Sequence, residues 1–412
     1  MKPPAPRSQP AIGHLGRWAR QPLPLLEEGA ALGPVFGLRL WRNTIVGYSP
    51  DWNRFVLGDL SLFRSRGSMS GLSPHLAAGV VQTEAPQHRQ RRAELNPAFA
   101  RRPISDLRPR ILEVLEAHLP SGEFDAVAWS ASVTREILSA TFFAGALPGP
   151  VLAAFLRPLD SPLPGPLIRR PALFRRMNRA LERALPAAPD GCLATAFRDL
   201  PGGLDEVRVA LSAGYDTTAH TMAWLLYHVG CQPELFAADQ RPLAVNEVLR
   251  LYPAGWLGSR RAGRDTAFGD IAIPRGTLVL YSPYLTHRDQ RLWPQPLQFR
   301  PERFLDALPA WGFLPFAAGE RTCLGSAYAR LVLDTVLEAF AGSRLSVVAA
   351  DPRPKAGITL APAGPLTLRR EECSSRACAA GSLDPLTPPS QQRSTAGRRW
   401  QAHPESGDRQ PQ

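Results

Sequence analysis

The chain has 412 residues, of which 44% are hydrophobic, and carries a formal net charge of +12 at pH 7. This hydrophobic content is ordinary for a globular core, and no apolar run approaches the roughly 18–20 residues that span a bilayer. Because the N-terminus also lacks the apolar segment of a secretory signal, these features argue against membrane-spanning and secreted proteins, and we expect a cytoplasmic one.

The basic charge is almost entirely arginine, since Lys2 and Lys355 are the only lysines. Three interpretations stay open: arginine-rich usage from a GC-rich coding sequence, a basic surface that docks an acidic protein, and nucleic-acid binding. No basic motif with interleaved aromatic residues supports the third, so we expect no nucleic-acid partner. The five cysteines are odd in number and irregularly spaced, which argues against a disulfide framework.

The first third of the chain predicts a hairpin, a loop and three helices. Residues 35–40 and 43–48 alternate in polarity on either side of turn residues, which is typical of a β-hairpin. Residues 67–82 are interrupted by glycine and proline and predict a loop. Helical periodicity follows in three segments, 86–100, 105–118 and 125–143. We expect the side chain of Asp125 or Ser130 to cap the third helix.

The middle of the chain predicts a break followed by a long helix. Residues 158–171 contain five prolines, which cannot continue a helix, so we expect flanking helices that end near Leu156 and begin near Ala172. Residues 203–229 form the longest helical stretch although Gly214 lies inside it. A glycine there costs about 0.5–1 kcal/mol relative to alanine, which indicates a close approach of the helix to a bound group.

The last third of the chain predicts a small sheet, followed by a segment of different amino-acid composition. Residues 267–274 and 277–281 are short alternating segments with glycine and proline turns. Residues 371–412 are rich in Ser, Pro, Gln, Gly and Arg and poor in aliphatic residues. Such a segment buries too little apolar surface to offset its ordering entropy. We therefore expect one large domain over 1–370 and a disordered, low-complexity tail.

The segment Phe-Ala-Ala-Gly-Glu-Arg-Thr-Cys-Leu-Gly, residues 316–325, places a thiol between two glycines and directly before an apolar helix-like run. Glycines let the backbone approach a flat ligand, while Arg321 and the helix start lower the pKa of the Cys323 thiol. A lone cysteine is usually a small buried hydrophobe. The four fixed positions around Cys323 instead predict a thiolate that binds a metal.

Four further motifs accompany this one, each weak alone: His-Arg-Gln-Arg-Arg at 88–92, Ala-Gly-Tyr-Asp-Thr-Thr at 213–218, Glu-Val-Leu-Arg at 247–250, and Phe-Arg-Pro-Glu-Arg-Phe at 299–304. In this order, and together with the cysteine motif, they resemble the cytochrome P-450 (haem-thiolate monooxygenase) family, of the soluble bacterial type. The resemblance extends to about Arg370. It implies a mainly α fold with a small β region (α+β), in one large domain.

The resemblance implies haem b as the cofactor, held without covalent attachment because no Cys-x-x-Cys-His motif is present. Cys323 would be the axial thiolate, which pushes electron density onto the iron. Phe316 would shield the sulfur from water, and the backbone N–H groups of Leu324, Gly325 and Ser326 would temper its basicity. Gly214 would let the helix open above the cofactor.

The resemblance also implies a set of cations for the two haem propionates, namely His88, Arg92, Arg260 and Arg321. Buried carboxylates need such charge-assisted donors. The sequence Ser-Arg-Arg-Ala leaves Arg261 as an alternative to Arg260.

Two other groups of polar residues receive roles from the resemblance. Asp216 and Thr217 would activate oxygen, with the hydroxyl holding a water and the carboxylate relaying protons; hydrogen bonding within their own helix is the alternative. Glu247 and Arg250 lie three residues apart on one helical face, and with Arg303 they would form a buried structural ion cluster.

The substrate pocket is expected to include Leu72, Ala213, Trp256 and Ile358, with residues 67–82 as its cover. By position in the resembled fold, residues 158–171 would form a gate above it, with leucines, Ile168 and two arginines, and would touch membranes peripherally to collect a lipophilic substrate; a surface connection without such a role is the alternative. Ala254 stands where many relatives have a proline, which leaves the substrate preference open.

The predicted function is a monooxygenase that hydroxylates an unactivated C–H bond of a lipophilic molecule, such as a terpenoid, a carotenoid or a fatty acid. Electrons would come from NAD(P)H through a separate ferredoxin-like donor and its reductase. Two alternatives stay open: a peroxide-driven haem peroxygenase or isomerase, and a non-catalytic haem-thiolate binding protein.

Overall fold

The computed structural model describes residues 1–372, and residues 373–412 lie outside the described part of the chain. The expectation of a disordered tail over 371–412 therefore falls almost entirely outside it. Glu371 and Glu372 are described, and they continue the last strand.

Helices account for more of the described residues than strands do: α1 (Leu15–Arg20), α2 (Pro22–Ala30), α3 (Pro50–Gly58), α4 (Gln87–Leu95), α5 (Arg101–Ser105), α6 (Arg108–Ala117), α7 (Ala126–Phe143), α8 (Gly149–Leu156), α9 (Pro171–Ala184), α10 (Gly203–Val229), α11 (Arg241–Leu251), α12 (Pro283–Thr286) and α13 (Ser326–Phe340).

The strands are short and peripheral: β1 (Val35–Arg39), β2 (Asn43–Gly47), β3 (Phe63–Arg64), β4 (Gly122–Asp125), β5 (Gly258–Ala262), β6 (Thr266–Phe268), β7 (Ile271–Ile273), β8 (Leu278–Tyr281), β9 (Ser343–Ala350), β10 (Pro354–Ala356), β11 (Leu360–Pro362) and β12 (Leu366–Glu372). The main sheet has the order β1-β2-β8-β5-β3, and a second has the order β4-β12-β9. The pairs β6-β7 and β10-β11 are two-stranded ribbons.

Helix α10 lies at the centre of the core and packs against α7, α11 and α13. Its apolar residues surround it on nearly every side, and Met222, Trp224 and Leu225 are fully buried. A helix that is apolar around most of its circumference belongs in a protein interior. This burial positions the polar residues of α10 with little freedom, which matters for the site below.

Most of the sequence predictions for local structure are confirmed. Strands β1 and β2 form the predicted antiparallel hairpin, with Val35 opposite Gly47. Asp125 caps α7, because its carboxylate accepts the Val127 N–H at 2.9 Å, whereas the prediction of Ser130 as an alternative cap is wrong: Ser130 is buried inside the helix. The proline-rich segment is broken as predicted, with only short 3₁₀ turns between Leu156 and Pro171.

The sheet β4-β12-β9 was not anticipated, since its strands come from distant parts of the chain. The mainly α fold with a small β region is confirmed. No helix among the described residues combines the length and apolar character needed to cross a membrane.

Candidate active site

A cavity of about 840 Å³ lies between α10 and the loop before α13. Its walls are mostly apolar, and leucine, valine, phenylalanine and alanine side chains from separate elements converge on it. The predicted site residues that line it are Leu72, His88, Arg92, Ala213, Gly214, Thr217, Trp256, Arg260, Phe316, Arg321, Cys323, Gly325 and Ile358. Asp216 and the residues of the ion cluster lie outside its walls.

The loop that carries Cys323 is shaped by backbone contacts. Gly319 has a φ of +72°, and a Cβ there would lie 2.6 Å from the Leu57 carbonyl oxygen. The backbone conformation and this contact each disfavour a side chain at this position. Further along, the Cys323 N–H donates to the Phe316 carbonyl at 2.9 Å. This bond closes the loop directly before α13 and fixes where the thiol points.

The Cys323 side chain is exposed, and the surface onto which it opens is the cavity. Burial away from bulk solvent raises the pKa of the Cys323 thiol, and the Gly325 N–H and the charge of Arg92 act in the opposite direction. The amide of Ser326 does not share this role, because it donates to the Cys323 carbonyl at 3.4 Å. Of the three amides proposed from the sequence, Gly325 is the one placed to stabilise a thiolate.

One edge of the cavity is lined by four basic side chains, His88, Arg92, Arg260 and Arg321, which we call the edge cluster. Within residues 1–372, the Nδ1 atom of His88 and the Nε atom of Arg260 are buried without a hydrogen-bond partner. Burial and the neighbouring Arg321 and Arg92 lower the pKa of His88 to about 4. Buried polar atoms almost always have partners, so this cluster is built to receive an anion.

Arg260 and its neighbour Arg261 are distinguished by the structure. Arg260 is buried and faces the cavity, whereas Arg261 is exposed on the opposite face of β5. Arg321 also lines the cavity, but its guanidinium already donates to the Thr83 carbonyl at 2.6 Å and pairs with Glu84 at 3.3 Å. Arg321 thus fastens the loop before α4 as well as facing the cavity.

The contents of the cavity walls fit a haem group. A single thiol faces an apolar space, and the edge cluster offers donors that have no protein partner, as two buried propionates require. Among the described residues no group of three or more His, Cys, Asp or Glu side chains forms an alternative metal site. Cys323 would therefore be the metal ligand, with His88, Arg92, Arg260 and Arg321 around the propionates.

Helix α10 passes the cavity without interruption at Gly214. A Cβ on Gly214 would lie 3.3 Å from Leu138 on α7, so the glycine also permits close helix packing. The Thr217 hydroxyl donates to the Ala213 carbonyl at 2.6 Å. Because the hydroxyl proton is already donated, Thr217 can only accept a hydrogen bond from a molecule in the cavity.

Asp216 turns away from the cavity and is 4% exposed. Its Oδ2 accepts the Thr359 hydroxyl proton at 2.8 Å, and its Oδ1 lies 3.2 Å from His220 Nδ1. Burial raises the pKa of the Asp216 carboxyl, and His220 and Thr359 partly offset this. The sequence reasoning missed both partners; the spacing of four residues to His220 was the available signal.

The predicted ion cluster is present and complete. Arg250 is fully buried and donates from Nε and Nη2 to the two Glu247 carboxylate oxygens, at 2.7 and 2.8 Å. Its remaining donors reach the carbonyls of His287, Pro296 and Gln298. Arg303 adds a contact to Glu247 at 3.1 Å.

His287 belongs to the same cluster and was not predicted. Its Nε2 accepts the Leu314 N–H at 2.8 Å, so the ring carries its proton on Nδ1 and donates it to the Arg250 carbonyl. Burial and Arg250 lower the pKa of His287, which keeps the ring neutral beside the guanidinium.

A second missed residue, Glu206, fastens the cover of the cavity. Its buried carboxylate accepts the Val80 N–H at 2.9 Å and pairs with Arg91 at 2.8 Å. Burial raises the pKa of Glu206, and both partners counteract the rise. The loop predicted to cover the pocket is thus tied to the first turn of α10.

Comparison with known proteins agrees with this geometry. The family model described as Cytochrome P450 matches residues 242–344, a region that contains Glu247, Arg250 and Cys323. Cyclooctatin synthase from Streptomyces melanosporofaciens is 28% identical, and the match covers 88% of this chain and 94% of that protein. The chain is therefore similar to proteins of the cytochrome P450 family, over residues 242–344 in the family model and over most of its length in this relative.

Two further similarities support the assignment. Cyclooctat-9-en-7-ol 5-monooxygenase from the same Streptomyces species is 26% identical over 79% of this chain and 85% of the relative. The solved structure of cyanobacterial CYP120A1 with bound retinoic acid superposes with a TM-score of 0.77 at 22% identity, covering 90% and 99% of the two chains. The fold is therefore that of the cytochrome P450 proteins, and the similarities support an oxidoreductase whose cofactor is haem.

Proposed function

We propose that this protein is a cytochrome P450 monooxygenase that hydroxylates an unactivated C–H bond of a lipophilic substrate. The observation that carries the proposal is that the Cys323 thiol and the Thr217 hydroxyl line one apolar cavity whose edge holds the edge cluster. Bound haem supplies the redox chemistry, which uses O2, two electrons and two protons to place one oxygen atom in the substrate and release the other as water.

The protein contributes positioning, water exclusion and proton handling. Cys323 would hold the iron, the Gly325 N–H would stabilise the thiolate, and the edge cluster would neutralise the propionates. The Thr217 lone pairs fix a water in the cavity, because its hydroxyl proton is directed to Ala213. Asp216, whose pKa burial raises, holds a proton one residue away and delivers it by rotation of its side chain.

The substrate class that fits best is a terpenoid. The lining near α10 and Trp256 is apolar, with Leu249, Ala254 and Ile358 among its residues, and a polycyclic hydrocarbon body suits such walls. The two Streptomyces relatives named above are terpenoid-modifying enzymes. Carotenoids and fatty acids are the competing classes.

The gate is proposed to contact membranes. Leu163 and Ile168 are about half exposed, at 48% and 51%, as is Leu72 at 48%. Leu163, Leu167 and Leu72 also line the cavity. A lipophilic substrate that dissolves in the bilayer would enter along this surface. Flotation with anionic liposomes should carry the wild type but not a variant with Leu163→Ser and Ile168→Ser.

Electrons are proposed to come from NAD(P)H through a reductase and an acidic, ferredoxin-like donor. Arg101 and Arg102 are exposed at the start of α5, which packs against α13 behind the cysteine loop. Charge pairing speeds such an association and weakens with salt. Arg101→Glu should slow reduction and reduce its salt dependence, whereas Arg183→Glu on α9 should not.

The test of the function begins with the absorption spectrum of the reduced, carbon monoxide-bound protein. A strongly red-shifted Soret band is expected from Cys323 ligation, and a band typical of histidine or neutral-thiol ligation would contradict it. Spin-state titration with terpenoid alcohols, carotenoids and fatty acids then ranks the substrate classes. Product formation that follows added NAD(P)H and both redox partners supports the proposal.

Two outcomes would favour the alternatives. Product formed from hydrogen peroxide alone at the rate of the reductase-driven reaction would indicate a peroxygenase. Haem binding with neither a spin-state change nor turnover would indicate a binding protein. The Thr217→Ala variant separates these further, because it should consume electrons without matching product, and unchanged coupling would contradict the role of Thr217.

A further inference from the structure

The flank of α10 beside the cavity carries a chain of hydrogen bonds that leads away from Asp216. Asp216 and His220 lie four residues apart and therefore on one face of the helix. Thr359, in the turn between β10 and β11, contacts both: its hydroxyl donates to Asp216 Oδ2 at 2.8 Å and lies 2.8 Å from His220 Nδ1. Because His220 Nδ1 also lies 3.2 Å from Asp216 Oδ1, the ring reaches the carboxylate directly as well as through Thr359. Thr359 is 4% exposed.

The direction of these bonds follows from the donor count. Thr359 has one hydroxyl proton, and when it is given to Asp216 the contact with His220 needs a proton on Nδ1. The reverse arrangement is equally complete: a protonated Asp216 donates to Thr359, and Thr359 donates to an unprotonated Nδ1. The three groups therefore have two fully bonded arrangements, and the difference between them is the position of one proton.

His220 is the end of the chain that reaches outward. Its side chain is 19% exposed, and it is not among the residues that line the cavity. Its Nε2 has no hydrogen-bond partner within residues 1–372. Imidazole exchanges protons with water readily in the neutral range. The chain thus joins the protein surface to a buried carboxyl that adjoins Thr217.

We propose that His220 and Thr359 form a proton path that reloads the Asp216 carboxyl from solvent. The Nδ1–H bond of the protonated His220 ring breaks as Thr359 Oγ1 accepts the proton, and the Thr359 O–H bond breaks as its proton passes to Asp216 Oδ2. One proton moves, no electrons are exchanged, and the ring is left neutral with its proton on Nε2. Rotation of the ring then brings the free nitrogen to water, where it takes up the next proton, and the reverse rotation returns an N–H to Thr359.

The charges around the path include one further carboxyl. Asp160 interacts electrostatically with both His220 and Asp216, and it accepts the Tyr215 hydroxyl at 2.8 Å. Arg135 donates to Tyr215 at 2.7 Å and, with Arg157, lowers the pKa of Asp160 against the effect of burial. This second network contains no hydrogen bond to Thr359, so it sets the local field without being part of the path.

The proposal rests on the proposed function, and the first measurement does not depend on turnover. In the reduced, carbon monoxide-bound holoenzyme with ¹⁵N-labelled histidine, the ring nitrogens of His220 can be assigned by the loss of their signals in His220→Gln, since the chain has 8 histidines. Asp216→Asn and Thr359→Val should change the tautomer of His220, because each removes a hydrogen-bond partner on the Nδ1 side of the ring. Thr359→Ser, which keeps the hydroxyl, should restore the wild-type signals. Unchanged His220 signals in Asp216→Asn would overturn the proposal.

The second measurement is coupling. His220→Gln and Thr359→Val should lower product formed per NAD(P)H by about 3- to 10-fold, as expected for loss of a positioned proton donor, and the lost electrons should emerge as hydrogen peroxide. Substrate affinity, read from the spin-state change, should stay within about twofold. Thr359→Ser should recover the coupling, and the solvent isotope effect on coupling should disappear in His220→Gln.

Matched controls are Thr335→Val, a buried threonine on α13 that bonds to its own helix at 2.8 Å, and His118→Gln on α6. Both should leave coupling unchanged. Wild-type coupling in Thr359→Val and His220→Gln would overturn the path while leaving the monooxygenase function intact. If no substrate is hydroxylated by any variant but Asp216 still controls the His220 signals, the path stands and the proposed function fails.

Discussion

Two arginine-containing clusters in this protein differ in whether their hydrogen-bond donors and charges find partners within the chain. Around Arg250, every donor of a fully buried guanidinium has a partner within the chain, and Glu247 balances the charge. In the edge cluster, three arginines and the neutral ring of His88 lie together, with Glu84 as the one acid paired to any of them among the described residues. His88 Nδ1 and Arg260 Nε have no hydrogen-bond partner within residues 1–372.

This difference indicates that the Arg250 cluster stabilises the fold and that the edge cluster is an anion-binding site. A buried charge is tolerable when it is paired and fully hydrogen-bonded, and the Arg250 cluster meets that condition without any ligand. The edge cluster does not meet it, because like charges repel and unpartnered donors keep their desolvation cost. Loss of a charged group from the Arg250 cluster should therefore lower the unfolding free energy of the protein both with and without haem. Loss of a cation from the edge cluster should lower it only when the anion is bound.

The largest effect is expected at Glu247. The Glu247→Gln substitution leaves the buried Arg250 without its counter-charge and should cost about 3–5 kcal/mol of unfolding free energy, with or without haem. Urea unfolding of both forms checks this, with Glu116→Gln on the exposed face of α6 as the control. If only the haem-bound form lost stability, Glu247 would act in cofactor binding, which would contradict a purely structural role of the Arg250 cluster.

In the edge cluster, the effect of a substitution on stability should depend on whether haem is bound. Arg260→Gln should weaken haem affinity by about 10-fold or more, since a charge-assisted hydrogen bond is lost, yet leave the haem-free protein as stable or more stable. Haem transfer to apomyoglobin measures the first effect and urea unfolding the second. Arg261→Gln is the matched control because this neighbour is exposed; equal losses in both variants would contradict the assignment.

A smaller effect concerns pH and the haem-free protein. The pKa of His88 falls from 6.5 to about 4 on folding, so between these values the unfolded chain binds a proton that the folded one does not. His88 therefore contributes full stability above pH 6.5, and that contribution is lost as the pH falls toward 4.

The size of the pH effect should be modest. The full shift corresponds to about 3 kcal/mol, and screening by water in the adjoining cavity should reduce it to roughly 1–2 kcal/mol. It is measured as the difference between wild type and His88→Gln, because His228 and His287, whose pKa values burial also lowers, are common to both. With haem bound, the propionates should move the window to higher pH; the same window with and without haem would place His88 outside their reach.

What the sequence could predict follows from the range of the interactions. The cysteine loop and the Glu247–Arg250 pair are local patterns, and the structure contains both as expected. The choice of Arg260 over Arg261 depends on which face of β5 meets the cavity, which two adjacent identical residues cannot reveal. His287, Thr359 and Glu206 act through partners far along the chain, so no local pattern pointed to them.

The smallest expected effect lies just outside the edge cluster. Arg89 pairs with Glu320 at 2.8 Å, but both side chains are substantially exposed, and such pairs contribute little because water and salt screen them. Arg89→Ala should leave the unfolding free energy unchanged within error. Haem affinity should also stay at the wild-type value, since Arg89 does not line the cavity. A loss of haem affinity as large as that of Arg260→Gln would mean that Glu320, released from Arg89, repels the propionates, and the boundary of the edge cluster would have to include that pair.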